Sequence, residues 1–208
     1  MKKILFVFLL SVAGGLPLQA DNFQGVDTKA LNKAYGELMQ NPSSPALQRA
    51  FFNQFPSTCG MYNDVYRYST RPGFDDTMYF AAAKHVEALK NLDTIDRKEY
   101  YEKLIHIGIG GRWMADAPNY LRRLLMDLLD NHTAAFFQSL STNSAAQQLL
   151  FWRFVWENPV KDESLAERYD RLKQTMGQKY PREVKTMGVA YEYFFGELPM
   201  GPDDADEY

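Results

Sequence analysis

One cysteine in 208 residues, Cys59, rules out any disulfide within the chain. Stability must come from packing, and the 14% aromatic content and nine methionines supply large side chains for it. Only three histidines occur, His85, His106 and His132, and no HExxH is present, so the metal-binding repertoire is thin. GxSxG is missing as well. No apolar run reaches the roughly 20 residues that a bilayer span requires. No stretch alternates with period two, so no strand is expected. Acids outnumber bases, 26 to 23. That balance argues against nucleic acid as a partner.

The first twenty residues carry a different signal. Lys2 and Lys3 precede the apolar stretch Ile4 to Val12, and small and turn-forming residues lead on to Ala20. That is the order of a secretory signal peptide, with Leu18 and Ala20 at the −3 and −1 positions. Two lysines and a short apolar stretch fit bacterial export to the periplasm or beyond. Cleavage near Ala20 takes the formal net charge from −3 to −5 and leaves no membrane anchor. Residues 21–198 then form one domain, and 199–208, with four acids and no base, a flexible acidic tail.

The remainder reads as helices. In Asp116 to Asn131 the apolar residues Ala117, Tyr120, Leu121, Leu124, Leu125, Leu128 and Leu129 follow the 3, 4, 3, 4 rhythm of one buried face. Asp116 as cap and Pro118 in the first turn suit its start, and this segment is expected to be the beam for its neighbours. Asp27 or Thr28, Ser44 with Pro45, Ser57, Asp75 with Asp76, Asp96, Ser144 with Gln147, Asp162 and Pro181 mark other starts. Arg67 to Gly73 is a loop and a candidate seam. Short connections favour antiparallel neighbours, with the helices on either side of Leu92 to Asp96 paired as a hairpin. The expected fold is all-α: an antiparallel bundle or short helical array of about eight to nine helices.

Candidate chemistry is sparse. His85 and His106 could approach across that hairpin, but core or capping histidines are the favoured reading. Cys59 as a nucleophile would need a histidine brought close by folding. Gly108, Gly110 and Gly111 lack the preceding strand of a dinucleotide site and read as a turn. Trp152 and Trp156 share one helix face. Core packing is favoured, and an exposed pair that stacks on sugars or anchors a partner is the alternative. No cofactor or metal is expected.

Some short stretches resemble known patterns. Glu163-Ser164 resembles the Glu-Ser pair of all-helical lytic transglycosylases. Thr175-Met176-Gly177-Gln178 departs from their Gly-Leu-Met-Gln type segment, so no catalytic role carries over. Asp76-Thr77-Met78 and Asp93-Thr94-Ile95 resemble the Asp-Ser/Thr-apolar acceptor pattern for O-glycosylation in one group of gut bacteria. That resemblance implies Thr94 as the better acceptor and Thr77 as the second. Leu47 to Thr58, with Tyr62 and Tyr66-Arg67-Tyr68, resembles a phrase of uncharacterised exported helical proteins of gut bacteria. It implies a helical exported protein and lends no activity.

The functional expectation is an exported helical protein that binds another protein, as immunity proteins and toxin inhibitors do. A cell-wall or glycan-active hydrolase or lyase, or a glycan-binding module, is the alternative. Partner and oligomeric state are not legible in the sequence.

Overall fold

Capping chemistry places most helix starts where the sequence puts them. The computed structural model describes residues 25–69, 76–113, 116–157 and 163–196. These form ten α-helices and, among the described residues, no strand. They are α1 (Thr28–Gln40), α2 (Pro45–Gln54), α3 (Cys59–Tyr66), α4 (Thr77–Lys90) and α5 (Arg97–Gly108). Next come α6 (Asp116–Asn131), α7 (Thr133–Leu140), α8 (Ala145–Trp156), α9 (Glu163–Met176) and α10 (Pro181–Phe195). The leader 1–20 and the tail 199–208 lie outside the described residues, as do 70–73 of the loop seam, Asp75 and Asp162. Among the described residues no helix is long and apolar enough to cross a membrane.

The Asp27 carboxylate accepts from the Lys29 and Ala30 amides at 2.9 and 3.0 Å. Ser44 caps α2 with Pro45 behind it, and Asp96 caps α5 through the Glu99 amide. Ser144 and Gln147 close the expected capping box of α8. Two starts differ. Thr58, not Ser57, caps α3, and Asp76 occupies the cap position of α4 without a side-chain cap bond.

The beam is where it was expected. α6 packs against α3, α4, α5, α7 and α8, and Leu121, Leu124, Leu125, Leu128 and Leu129 are all buried. The Asp116 carboxylate accepts from the Tyr79 hydroxyl at 3.0 Å, which ties the start of α6 to α4.

The hairpin of α4 and α5 does not form. α4 packs on α6 and α3 instead, and α5 on α7, α3 and α8. The Tyr100 hydroxyl donates to the Leu89 carbonyl at the joint, 3.1 Å, where the two helices meet. From α3 onward each helix packs on the one two places further along: α3 on α5, α4 on α6, and so on to α8 on α10. Two of these pairs run parallel. Tyr79–Asp116 and Lys90–Asp127 advance together along α4 and α6, as Gln148–Thr186 and Arg153–Tyr193 do along α8 and α10. Of the two expected forms this is the array, because from α3 onward alternate helices stack in file, alongside contacts between the neighbours α1–α2, α3–α4, α6–α7 and α9–α10.

At the meeting of α1 to α4 lies His85, fully buried. Its ring packs against Tyr35 (4.6 Å between centroids), Phe51 (6.0 Å) and Tyr66 (5.9 Å). Nδ1 is 3.0 Å from the Tyr66 hydroxyl, and Nε2 has no partner among the described residues. Burial holds the imidazole neutral and lowers its pKa from 6.5 to about 4. The folded value lies below the unfolded one, so this contribution to stability is complete above pH 6.5. It is lost as pH falls toward 4, when the unfolded chain takes a proton that the folded chain refuses. The loss is about 3 kcal/mol. Urea unfolding at pH 7 and pH 4 should show this difference in the wild type and a correspondingly smaller one in His85→Leu.

Candidate interaction surface

Helix α8, AAQQLLFWRFVW, is apolar almost all round, more so than one buried face demands. Phe151, Trp152, Val155 and Trp156 point inward and are fully buried. Ala146, Leu150, Arg153 and Glu157 recur at helical spacing on a second stripe. Helix α10 does the same. Met187 and Ala190 are buried, while Arg182, Lys185, Val189 and Tyr193 form an outer stripe. The two stripes lie side by side because α8 and α10 form the most extensive helix pair in the molecule. Leu150 is 42%, Val189 51% and Tyr193 60% exposed.

A buried polar knot holds this pair in register. Gln148, fully buried, donates through Nε2 to the Leu140 carbonyl (3.2 Å), the Asn143 carbonyl (3.0 Å) and Glu183 Oε1 (3.3 Å). Its Oε1 accepts from the Thr186 hydroxyl at 3.1 Å. Glu183 is itself buried and bound by Arg182 at 2.9 Å. A buried carboxylate needs such a partner.

The outer seam is concave in two places. A groove of about 400 Å³ near the starts of both helices is floored by Ala145, Ala146, Leu149 and Val189 and walled by Arg182 and Lys185. A hollow of about 230 Å³ near their ends lies among Leu150, Arg153, Tyr193, Phe194, Glu157 and the Gly110–Arg112 loop. The Arg153 guanidinium lies 4.5 Å over the Tyr193 ring. The loop can reach α8 because Gly110 takes φ +78° and because a Cβ on Gly111 would sit 2.6 Å from Phe154 Cγ. The Trp113 amide then donates to Glu157 Oε2 at 2.8 Å. The glycines serve this turn, not a phosphate.

The seam is basic on an acidic protein. Arg112, Arg153 and Lys185 enter no ion pair among the described residues, Arg182 is matched by Glu183, and Glu157 is the one carboxylate lining the two concavities.

The residues singled out in the sequence lie elsewhere. Trp152 and Trp156 are both 0% exposed, stacked 5.7 Å apart at 12°, and enclosed by Phe137, Tyr169 and Tyr191. Buried rings cannot stack on a sugar or anchor a partner, so the exposed-pair alternative is corrected to core. Thr94 is exposed in the α4–α5 connection, but its hydroxyl donates to Gln48 Oε1 at 2.8 Å. A glycan there would replace that bond. Thr77 is the exposed first residue of α4.

His85 and His106 do not meet. His106 instead shares a shallow depression with Cys59 and Ile109. Burial pushes the Cys59 thiol up from its ordinary pKa, against a weaker opposing effect from Asn63, whose Nδ2 is 3.4 Å from Sγ. That favours the thiol over a nucleophilic thiolate. Among the described residues no cluster of His, Cys, Asp or Glu could hold a metal ion. Comparison with protein-family models, with curated proteins and with solved structures finds no match.

Proposed function

We propose that this protein acts by binding another protein, through the outer seam of α8 and α10, after export directed by its leader. The observation that carries the reading is the exposure of apolar and aromatic residues on the outer stripe of each helix. Leu150, Val189 and Tyr193 stand in water although both helices already bury a full inner face. Apolar and aromatic side chains grouped beside concave surface, with arginine among them, have the composition of interface hot spots. The seam rests on the most extensively packed pair of helices, so it is rigid before it binds, which lowers the ordering cost of association.

The test is co-purification from the native extracytoplasmic fraction with wild-type protein and with Leu150→Asp/Tyr193→Asp. Both substitutions are on the surface and should leave the circular dichroism unchanged. A partner recovered in stoichiometric amount with the wild type should fall at least 10-fold with the double variant. Recovery at equal yield from both, or of nothing stoichiometric from the wild type, overturns the reading.

A further inference from the structure

The whole chain carries an excess of acids, yet its exposed apolar seam is edged by cations. We infer that the occupant of this seam is an amphipathic helix of the partner protein, its apolar side on the floor and carboxylates on its flanks. This rests on the protein-binding reading of the same seam and adds the chemistry of what binds there.

Shape comes first. The floor of Ala145, Ala146, Leu149 and Val189 is low because alanine offers little bulk, while Arg182 and Lys185 rise from α10 beside it. This groove and the hollow near the helix ends lie in file along two parallel helices. Helix α10 has 15 residues, a length of roughly 22 Å. A third helix of about four turns laid along the pair reaches both concavities, with side chains at i, i+4 and i+7 toward the seam. A flat bilayer surface would favour apolar groups that protrude from a convex face, and a phosphate backbone would gain nothing from the alanine floor.

Charge decides the flanks. Lys185 lines the groove and Arg112 and Arg153 line the hollow, none of them in an ion pair among the described residues. The cations at the two ends are separated by the apolar stretch of Val189 and Leu150. Glu157, already accepting the Trp113 amide, is the one opposing charge along the two concavities. A second copy of this chain would bring the same cations against themselves, so self-association through the seam is disfavoured. A segment with leucine-like residues inward and Asp or Glu outward satisfies both features, and one with Lys or Arg outward is repelled.

The test uses the full mature chain and three synthetic 16-residue helical peptides. One has Leu on one face and Glu on the other, the second has Lys for Glu, and the third keeps Glu and has Ser for Leu. Titration by fluorescence anisotropy should show the Leu/Glu peptide binding at least 10-fold tighter than either control, and weakening as NaCl rises. Arg112→Glu/Lys185→Glu should lose that binding at least 10-fold. Lys29→Glu/Lys84→Glu, which changes charge equally on α1 and α4, should keep it. Equal binding of the Leu/Lys peptide overturns the inference, as does binding to phosphatidylglycerol vesicles with none to the Leu/Glu peptide.

Failure here is separable from failure of the broader reading. If a native partner is recovered and depends on Leu150 and Tyr193 but not on Arg112 and Lys185, protein binding stands and the acidic helix falls. If recovery depends on neither pair, both fall.

Discussion

Trp156→Ala is expected to remove about 4 kcal/mol of unfolding free energy, within the range for emptying a large aromatic site in a closed core. The site is closed on every described side. Trp156 is fully buried, lies flat on Trp152, and meets the ring of Tyr191 at 88° and that of Tyr169 at 80°. Three helices supply those walls, α8, α9 and α10, so no single element can shift to fill the space. For a domain whose net stability is of order 10 kcal/mol this is a large share. Urea titration should show a lower midpoint with an unchanged slope. Trp156→Phe separates volume from polarity. The indole N–H of Trp156 has no hydrogen-bond partner among the described residues. Phenylalanine gives up some volume but also removes that unpaired donor, so its loss should stay below about 2 kcal/mol. A loss equal to that of alanine would contradict this account.

Gln48→Leu is expected to be nearly as damaging, by about 3–5 kcal/mol, although leucine is apolar and of similar size. Gln48 is 2% exposed and makes five hydrogen bonds. Its Nε2 donates to the Pro42 carbonyl at 2.9 Å and to Asp93 Oδ1 at 2.7 Å. Its Oε1 accepts from the Asp93 and Thr94 amides, both at 3.0 Å, and from the Thr94 hydroxyl. Leucine would leave two backbone amides and a carbonyl beside an apolar side chain, and each unmade bond costs about 1–3 kcal/mol. Helix α2 and the α4–α5 connection are far apart in sequence, so the loss should also loosen the region around Thr94. Thermal melting should fall by roughly 10 °C, and amide exchange at Asp93 and Thr94 should accelerate more than elsewhere. A Gln48→Leu protein as stable as the wild type would show that these bonds are made equally well with water.

Local chemistry was legible in the chain, and tertiary direction was not. The caps at Asp27, Ser44 and Asp96 and the box at Ser144 need only residues within one turn, and all appear. The stripe of α6 is likewise a property of one segment. The α4–α5 hairpin failed because the length of the connection does not fix the angle at which the chain leaves it. Gln48 and Gln148 pass for surface residues in any apolar pattern, since their burial depends on acceptors and donors from other helices. Spacing of four places Trp152 and Trp156 on one face without saying which face looks inward. The seam was missed for a related reason. Its two stripes lie on segments separated by α9, and the available signal was that α8 is too apolar for a helix with one buried side. Thr77 and Thr94 could be placed from the pattern. That the Thr94 hydroxyl is engaged by Gln48 could not.

Next-but-one stacking also bears on how the molecule is made. Tyr62 donates to the Ala117 carbonyl across 55 residues at 2.7 Å, and the larger helix contacts lie between neighbours or near neighbours in the chain. A polypeptide delivered amino end first therefore meets each new helix with its berth already laid down, and nothing early must wait for the far end to emerge. Assembly of this kind can keep pace with vectorial emergence, whether from a ribosome or from a translocation channel.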